Sequence, residues 1–212
     1  MRVLIACEFS GVVREAFRRR GHDAWSCDLL PSEIPGPHIE GDVLEHLDEG
    51  WGLMVAHPPC TRLTNSGVVW LEKRNLWKEL DMAACFFRQL LKAPVERIAV
   101  ENPIPHRYAL ECIGRKYDQI IQPWMFGHTE SKATCLWLKN LPPLAPTHRV
   151  KQQMLTLPKR EQQKMHWMPP GPDRWKNRSR TYQGIAEAMA EQWSNDARHN
   201  PVRHLEFDHR ER

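Results

Sequence analysis

RVLIACEFSGVVREAFRRRG, residues 2–21, sets a short apolar run, a tight turn and an amphipathic run end to end. The run 2–7 is bounded by charge and reads as a buried strand. In 11–21, Val12, Val13, Ala16 and Phe17 share one helical face, and Arg14, Glu15, Arg18 and Arg19 fall opposite. Gly21 suits the end of that helix. A strand feeding a helix through Glu8, Phe9, Ser10 and Gly11 is the opening unit of an α/β sheet. Ligands bind beyond the carboxyl ends of such strands. With a single glycine in it, the turn could equally be an ordinary connection.

The pattern continues outward. HDAWSCD (22–28), HIEGD (38–42), GLMVAHPP (52–59), ERIAVENP (96–103), 118–122 and 133–138 read as strands, and 78–92, 106–114 and 180–193 as helices. Strands alternating with helices predict a mainly parallel sheet covered on both faces. Over 212 residues this is one sizeable domain, predicted over 1–194, with 195–212 a polar C-terminal tail. The six cysteines are well separated, the closest pair being Cys7 and Cys27, so no metal knuckle is expected. No apolar run approaches the ~18 residues of a spanning helix, and the expected setting is a reducing cytoplasm. The net charge of +4 is concentrated: 147–180 holds nine Lys/Arg against two acids, with Trp167 and Trp175 among them. Punctuated by proline, that segment reads as a basic loop.

Chemistry gathers at strand ends. Asp28 and Asp42 follow Glu8 as acids closing successive strands, placed to accept ribose hydroxyls or to cap turns. Pro58 and Pro59 end a strand directly before Cys60, which holds a thiol at a rigid exit. Glu101 closes the next strand, so both can face one cleft. A thiolate is a nucleophile. A carboxyl group that keeps its proton at neutral pH can hydrogen-bond or protonate a substrate ring. On spacing alone, a buried inert Cys60 and a helix-capping Glu101 remain open.

In their order, these pieces resemble the cytosine-C5 DNA methyltransferase family. EFSG (8–11) is similar to its cofactor motif, HPPC (57–60) to its nucleophile motif and VENP (100–103) to its glutamate motif. KATCLWL (132–138) is similar to its base-contacting motif and RTYQGIAEAMAEQW (180–193) to its closing helix. The resemblance implies a Rossmann-like methyltransferase fold that uses S-adenosylmethionine. It implies a DNA cytosine flipped from the duplex, attack by Cys60 on ring carbon 6, and Glu101 holding the ring. Glu8, Phe9, Ser10, Gly11 and Pro58 would then line the cofactor, Asp28 its ribose and Asp42 its adenine. Pro59, Asn102, Lys132 and Thr134 would contact the base, and the loop 61–67 would close over it with Gly67 as a hinge. The sequence departs from the family pattern at Val12 and Val13, where a second glycine is usual, at Lys132 and Thr134, where arginines are usual, and at Pro103. The stretch 147–180 stands in place of a long target-recognition region, which suits a phage or prophage enzyme of short or relaxed specificity in a bacterial host. Its charges suit phosphates and its tryptophans suit bases or packing. Three functions remain distinct: DNA methylation, modification of a free pyrimidine nucleotide or transfer of a modified group, and nucleic-acid binding without turnover.

Overall fold

A computed structural model describes residues 1–194. The predicted tail 195–212 lies outside the described residues. The strands are β1 (Arg2–Ala6), β2 (Asp23–Asp28), β3 (His38–Glu40), β4 (Leu53–Ala56), β5 (Arg97–Pro103), β6 (Gln119–Ile121) and β7 (Thr134–Lys139). Over the described residues they form one seven-stranded sheet in the order β3-β2-β1-β4-β5-β7-β6. The pairings among the first five are parallel, and β7 runs antiparallel to both β5 and β6. The architecture is therefore the mainly parallel α/β sheet that the alternation predicted, in the Rossmann-like arrangement that the resemblance implied.

Helices cover both faces. On one, α3 (Trp77–Leu91) buries Leu80, Ala84, Phe87 and Leu90 over Leu4, Met54, Ile98 and Trp137. On the other, α1 (Val12–Arg18) and α9 (Gln183–Trp193) bury Val13, Phe17, Ile185, Met189 and Trp193 over Val3, Ile5, Leu53 and Ala99. Glycine permits one close approach here: a Cβ at Gly184 would lie 2.0 Å from the Phe126 carbonyl oxygen.

Two expectations change. Arg14, read as solvent-facing, is fully buried. Its guanidinium donates to Ser26 Oγ, Ser32 Oγ, Ile34 O and Pro35 O, so its charge is matched by acceptors rather than by water. The basic loop also holds short helices: α5 (Lys151–Thr156), α6 (Lys159–Gln162), α7 (Lys164–Trp167) and α8 (Arg174–Ser179). Each spans six residues or fewer, too few to display a helical period, and Pro158, Pro169, Pro170 and Pro172 punctuate the segment between them. Two shorter helices pack on α3: α2 (Val69–Lys73), which precedes it, and α4 (Arg107–Ile113), between β5 and β6. No described helix is long and apolar enough to cross a membrane.

Candidate active site

The sheet order reverses between β1 and β4, and the cleft opens beyond their carboxyl ends, at the switch point where such sheets bind ligands. A cavity of about 720 Å³ lies there. Its floor is built by three strand exits. At the first, Cys7 adopts left-handed φ (+57°), a conformation that costs a non-glycine residue about 1–3 kcal/mol. The turn tucks Glu8 beneath α1, where it is only 4% exposed. Its carboxylate accepts from Val13 N (2.7 Å), Arg14 N (3.1 Å) and Ser10 Oγ (3.2 Å). The free amides of the first helical turn are thus occupied by a side chain of the protein. Burial pushes the Glu8 carboxyl up, against the opposing pull of His57 and these donors.

The second exit is His57-Pro58-Pro59-Cys60, after β4. Pro58, Pro59 and Cys60 all line the cavity. The Cys60 carbonyl accepts from Leu63 N (3.0 Å) and Thr64 N (3.1 Å), which fixes the backbone that carries the thiol. Burial raises the Cys60 thiol, and the charge of Glu101 raises it further, while Lys132 and Arg178 pull it down. The resting group is a thiol. The third exit is β5. Its Glu101 lines the same cavity and accepts at Oε2 from His57 Nδ1 (3.0 Å). Burial would raise Glu101, but the His57 hydrogen bond and charge, with Lys132, outweigh it and hold the carboxyl below its ordinary value. These contacts favour a Glu101 carboxylate paired with His57, so the retained proton that ring protonation would need is not favoured in the resting site.

Of the other sequence candidates, Phe9, Ser10, Asp28 and Lys132 also reach the cavity. Asp28 accepts from Leu30 N (3.0 Å), and burial raises its carboxyl. Gly11 stands just behind the lining at φ +71°, where a Cβ would meet Ile34 and Arg14 side chains within 2.8 Å, so its part is to let the turn close. Asp42 is exposed and caps the 3-10 turn Val43–His46 through Leu44 N (3.0 Å). Asn102 alternates with Glu101 along β5 and so faces the other side of the sheet, fully buried. Its Nδ2 donates to Pro103 O (2.6 Å). Thr134 sits in register opposite Pro103 and turns its hydroxyl to Lys132 O (3.3 Å). Asp42, Asn102 and Thr134 are not among the lining residues.

The loop 61–67 is fastened near its far end to the segment after β5. Thr64 bridges Pro105, Asn65 N donates to Ile104 O (3.1 Å), and a Cβ at Gly67 would lie 2.4 Å from Thr61 O. Gly67 therefore serves a close contact. The outer wall comes from the basic segment: Met165, His166, Trp175, Arg178 and Arg180 line the cavity. Trp175 meets Phe9 at 5.8 Å between ring centroids. Lys132 Nζ donates to Arg178 O (2.8 Å), and Arg180 pairs with Glu33 (2.7 Å), which ties α8 to both rims. Sequence reasoning passed over Cys7, His57 and Trp70. The adjacency of His57 to Pro58 was the one available signal.

No protein-family model and no curated protein matches the chain. Among solved structures it is similar to a candidate DNA modification methyltransferase encoded within an E. coli prophage, at TM-score 0.43 and 13% identity over 65% of this chain and 46% of that one. It is also similar to the Entamoeba histolytica methyltransferase EhMeth, at TM-score 0.45 and 14% identity over 70% of this chain and 57% of that one. The chain spans about half the length of these structures.

Proposed function

We propose that the chain transfers a methyl group from S-adenosylmethionine to carbon 5 of cytosine in DNA, through a transient bond between Cys60 and carbon 6. The observation that carries this reading is the convergence of Cys60 and Glu101 on one cavity whose other wall is Glu8, Phe9, Ser10 and Asp28. That wall suits an adenosyl sulfonium. The α1 amides are occupied by Glu8, so a pyrophosphate finds no donors there. Two carboxyl groups, the buried Glu8 and the half-buried Asp28, favour a cation, and Phe9 and Leu30 offer apolar surface. Bound there, the cofactor supplies an electrophilic methyl group.

The residues of the chain do the rest. The Cys60 thiol gives its proton to water and the sulfur adds to carbon 6. Glu101 accepts from the exocyclic amine and orients the ring. Electron density displaced toward carbon 5 makes that atom the nucleophile. After methylation the carbon-5 proton leaves to water, the sulfur–carbon bond breaks, and Cys60 is regenerated. Cys60 takes its proton back from water, so that overall one C–H bond and the sulfonium S–CH₃ bond are broken, one C–CH₃ bond is formed, and S-adenosylhomocysteine and one proton are released. Arg178 and Lys132, on the outer wall, suit a phosphate beside the target.

The test is nucleoside mass spectrometry of DNA incubated with the protein and isotope-labelled S-adenosylmethionine. Labelled 5-methylcytosine is expected, and Cys60→Ser should yield none. Undiminished transfer by that variant refutes the mechanism. Met165, His166, Trp175 and Arg178–Arg180 of the basic segment wall the cavity where a long target-recognition region would be expected, which favours a smaller substrate as the second reading. Competition between dCMP and an oligonucleotide separates the two.

A further inference from the structure

We propose that His57 is the positioning residue for Glu101, holding its carboxylate by one oxygen so that the other faces the substrate ring; this rests on the reading above. The geometry is specific. His57 Nδ1 lies 3.0 Å from Glu101 Oε2, and the two side chains are 9% and 16% exposed. Glu101 can only accept, so Nδ1 carries the hydrogen. Glu101 Oε1 has no hydrogen-bond partner among the described residues, and Glu101 lines the cavity. The second imidazole nitrogen, Nε2, is buried with no partner among the described residues. A histidine kept for scaffolding satisfies both nitrogens in most buried settings. This one satisfies only the nitrogen that serves Glu101.

The surrounding charges agree. Glu8 faces His57 from the β1 exit, and Lys132 faces Glu101 from the approach to β7. Cys60 lies on the β4 exit, Cys135 on β7, and Arg178 of α8 acts on Cys60. Of these, His57 alone hydrogen-bonds Glu101. A carboxylate so held presents an acceptor to an exocyclic amine and repels a carbonyl. His57 therefore sets both the orientation and the charge with which Glu101 meets the base.

The decisive readout needs no substrate. Glu101 is titrated by ¹³C NMR in the full chain labelled at glutamate carboxyl carbons, with the resonance assigned by Glu101→Gln. The wild-type carboxyl should titrate below the ordinary range. In His57→Phe, which keeps a ring but removes donor and charge, burial is opposed only by Lys132, so the titration should move upward. His57→Asn returns a donor near the Nδ1 position and should bring it part of the way back. An unchanged titration in folded His57→Phe overturns the proposal. Should that variant not fold, His57→Ala takes its place with the same criterion. In methyl transfer, His57→Phe should lower kcat about 10²-fold with little change in the KM for cofactor, and His57→Asn should recover part of it. If the NMR shifts occur but the wild type transfers no methyl group, His57 keeps its role and the functional reading fails instead.

Discussion

Replacing Arg14 with methionine removes a fully buried guanidinium and leaves a chain of similar length. The wild-type group donates to Ser26 Oγ and Ser32 Oγ at 3.0 Å each, to Ile34 O at 3.0 Å and to Pro35 O at 3.1 Å. Its Nε also meets Glu15 Oε1 at 3.0 Å. Removing one partner from a buried charged network costs about 3–5 kcal/mol. The lower end applies here. The serine hydroxyls can re-pair, Ile34 O keeps its bond from Ser32 Oγ, and Glu15 is 26% exposed and can turn to water. The expectation is a loss of about 3 kcal/mol, and at this size each kcal/mol lowers Tm by about 2–4 °C, giving a fall of roughly 6–12 °C. Urea unfolding at unchanged m-value measures it. A loss below about 1 kcal/mol, or a gain of the kind sometimes seen when buried ions give way to apolar groups, refutes the view that Arg14 fastens the 32–37 loop to α1.

Cys60 should react with iodoacetamide more slowly at pH 7 than an unperturbed thiol. Its rate should rise as pH passes above the ordinary thiol range, because burial and then Glu101 both favour the protonated form. Glu101→Gln removes the second cause and should speed alkylation at any fixed pH below full ionisation, as read by mass spectrometry of the labelled peptide. Gly184→Ala should cost about 3 kcal/mol in thermal unfolding, since its Cβ would meet the Phe126 carbonyl oxygen at 2.0 Å and force α9 off the sheet.

What could be read in advance follows from what is local. Strand exits and helix stripes have periods of two and 3.6, so β1, β4, β5, α3 and α9 all fall where the apolar spacing puts them. The stop at Pro58-Pro59 is a covalent property of proline. Arg14 was misplaced because a periodic reading assigns charge to solvent. The folded loop 32–37, together with Ser26 on β2 and Glu15 on α1, supplies the acceptors that let a guanidinium stay inside. Asp42 and Asp28 look alike as acids closing strands. One caps a surface turn and the other enters the cavity because β3 stands at the sheet edge and β2 one strand nearer the switch point. Beyond its adjacency to Pro58, His57 gave no signal, because its partner lies 44 residues away, across a parallel pairing of β4 with β5.

The position of Glu8 decides what kind of molecule the cleft accepts. In a Rossmann-like sheet the first helix ordinarily offers its amides to a phosphate. Here those amides are satisfied from within, and a second carboxyl group, Asp28, lies on the same wall. Anionic ligands are therefore turned away from the β1–α1 corner. The outer wall has the opposite sign: Arg178 and Arg180 line it, with Lys132 bonded to the Arg178 carbonyl. A ligand that spans the cavity meets acids at one end and bases at the other. A cationic cofactor on the floor and a phosphate-bearing pyrimidine at the mouth satisfy that gradient together, and exchanging their places satisfies neither. Cys60 and Glu101 line the same cavity, where on the proposed reading the ring would receive its methyl group.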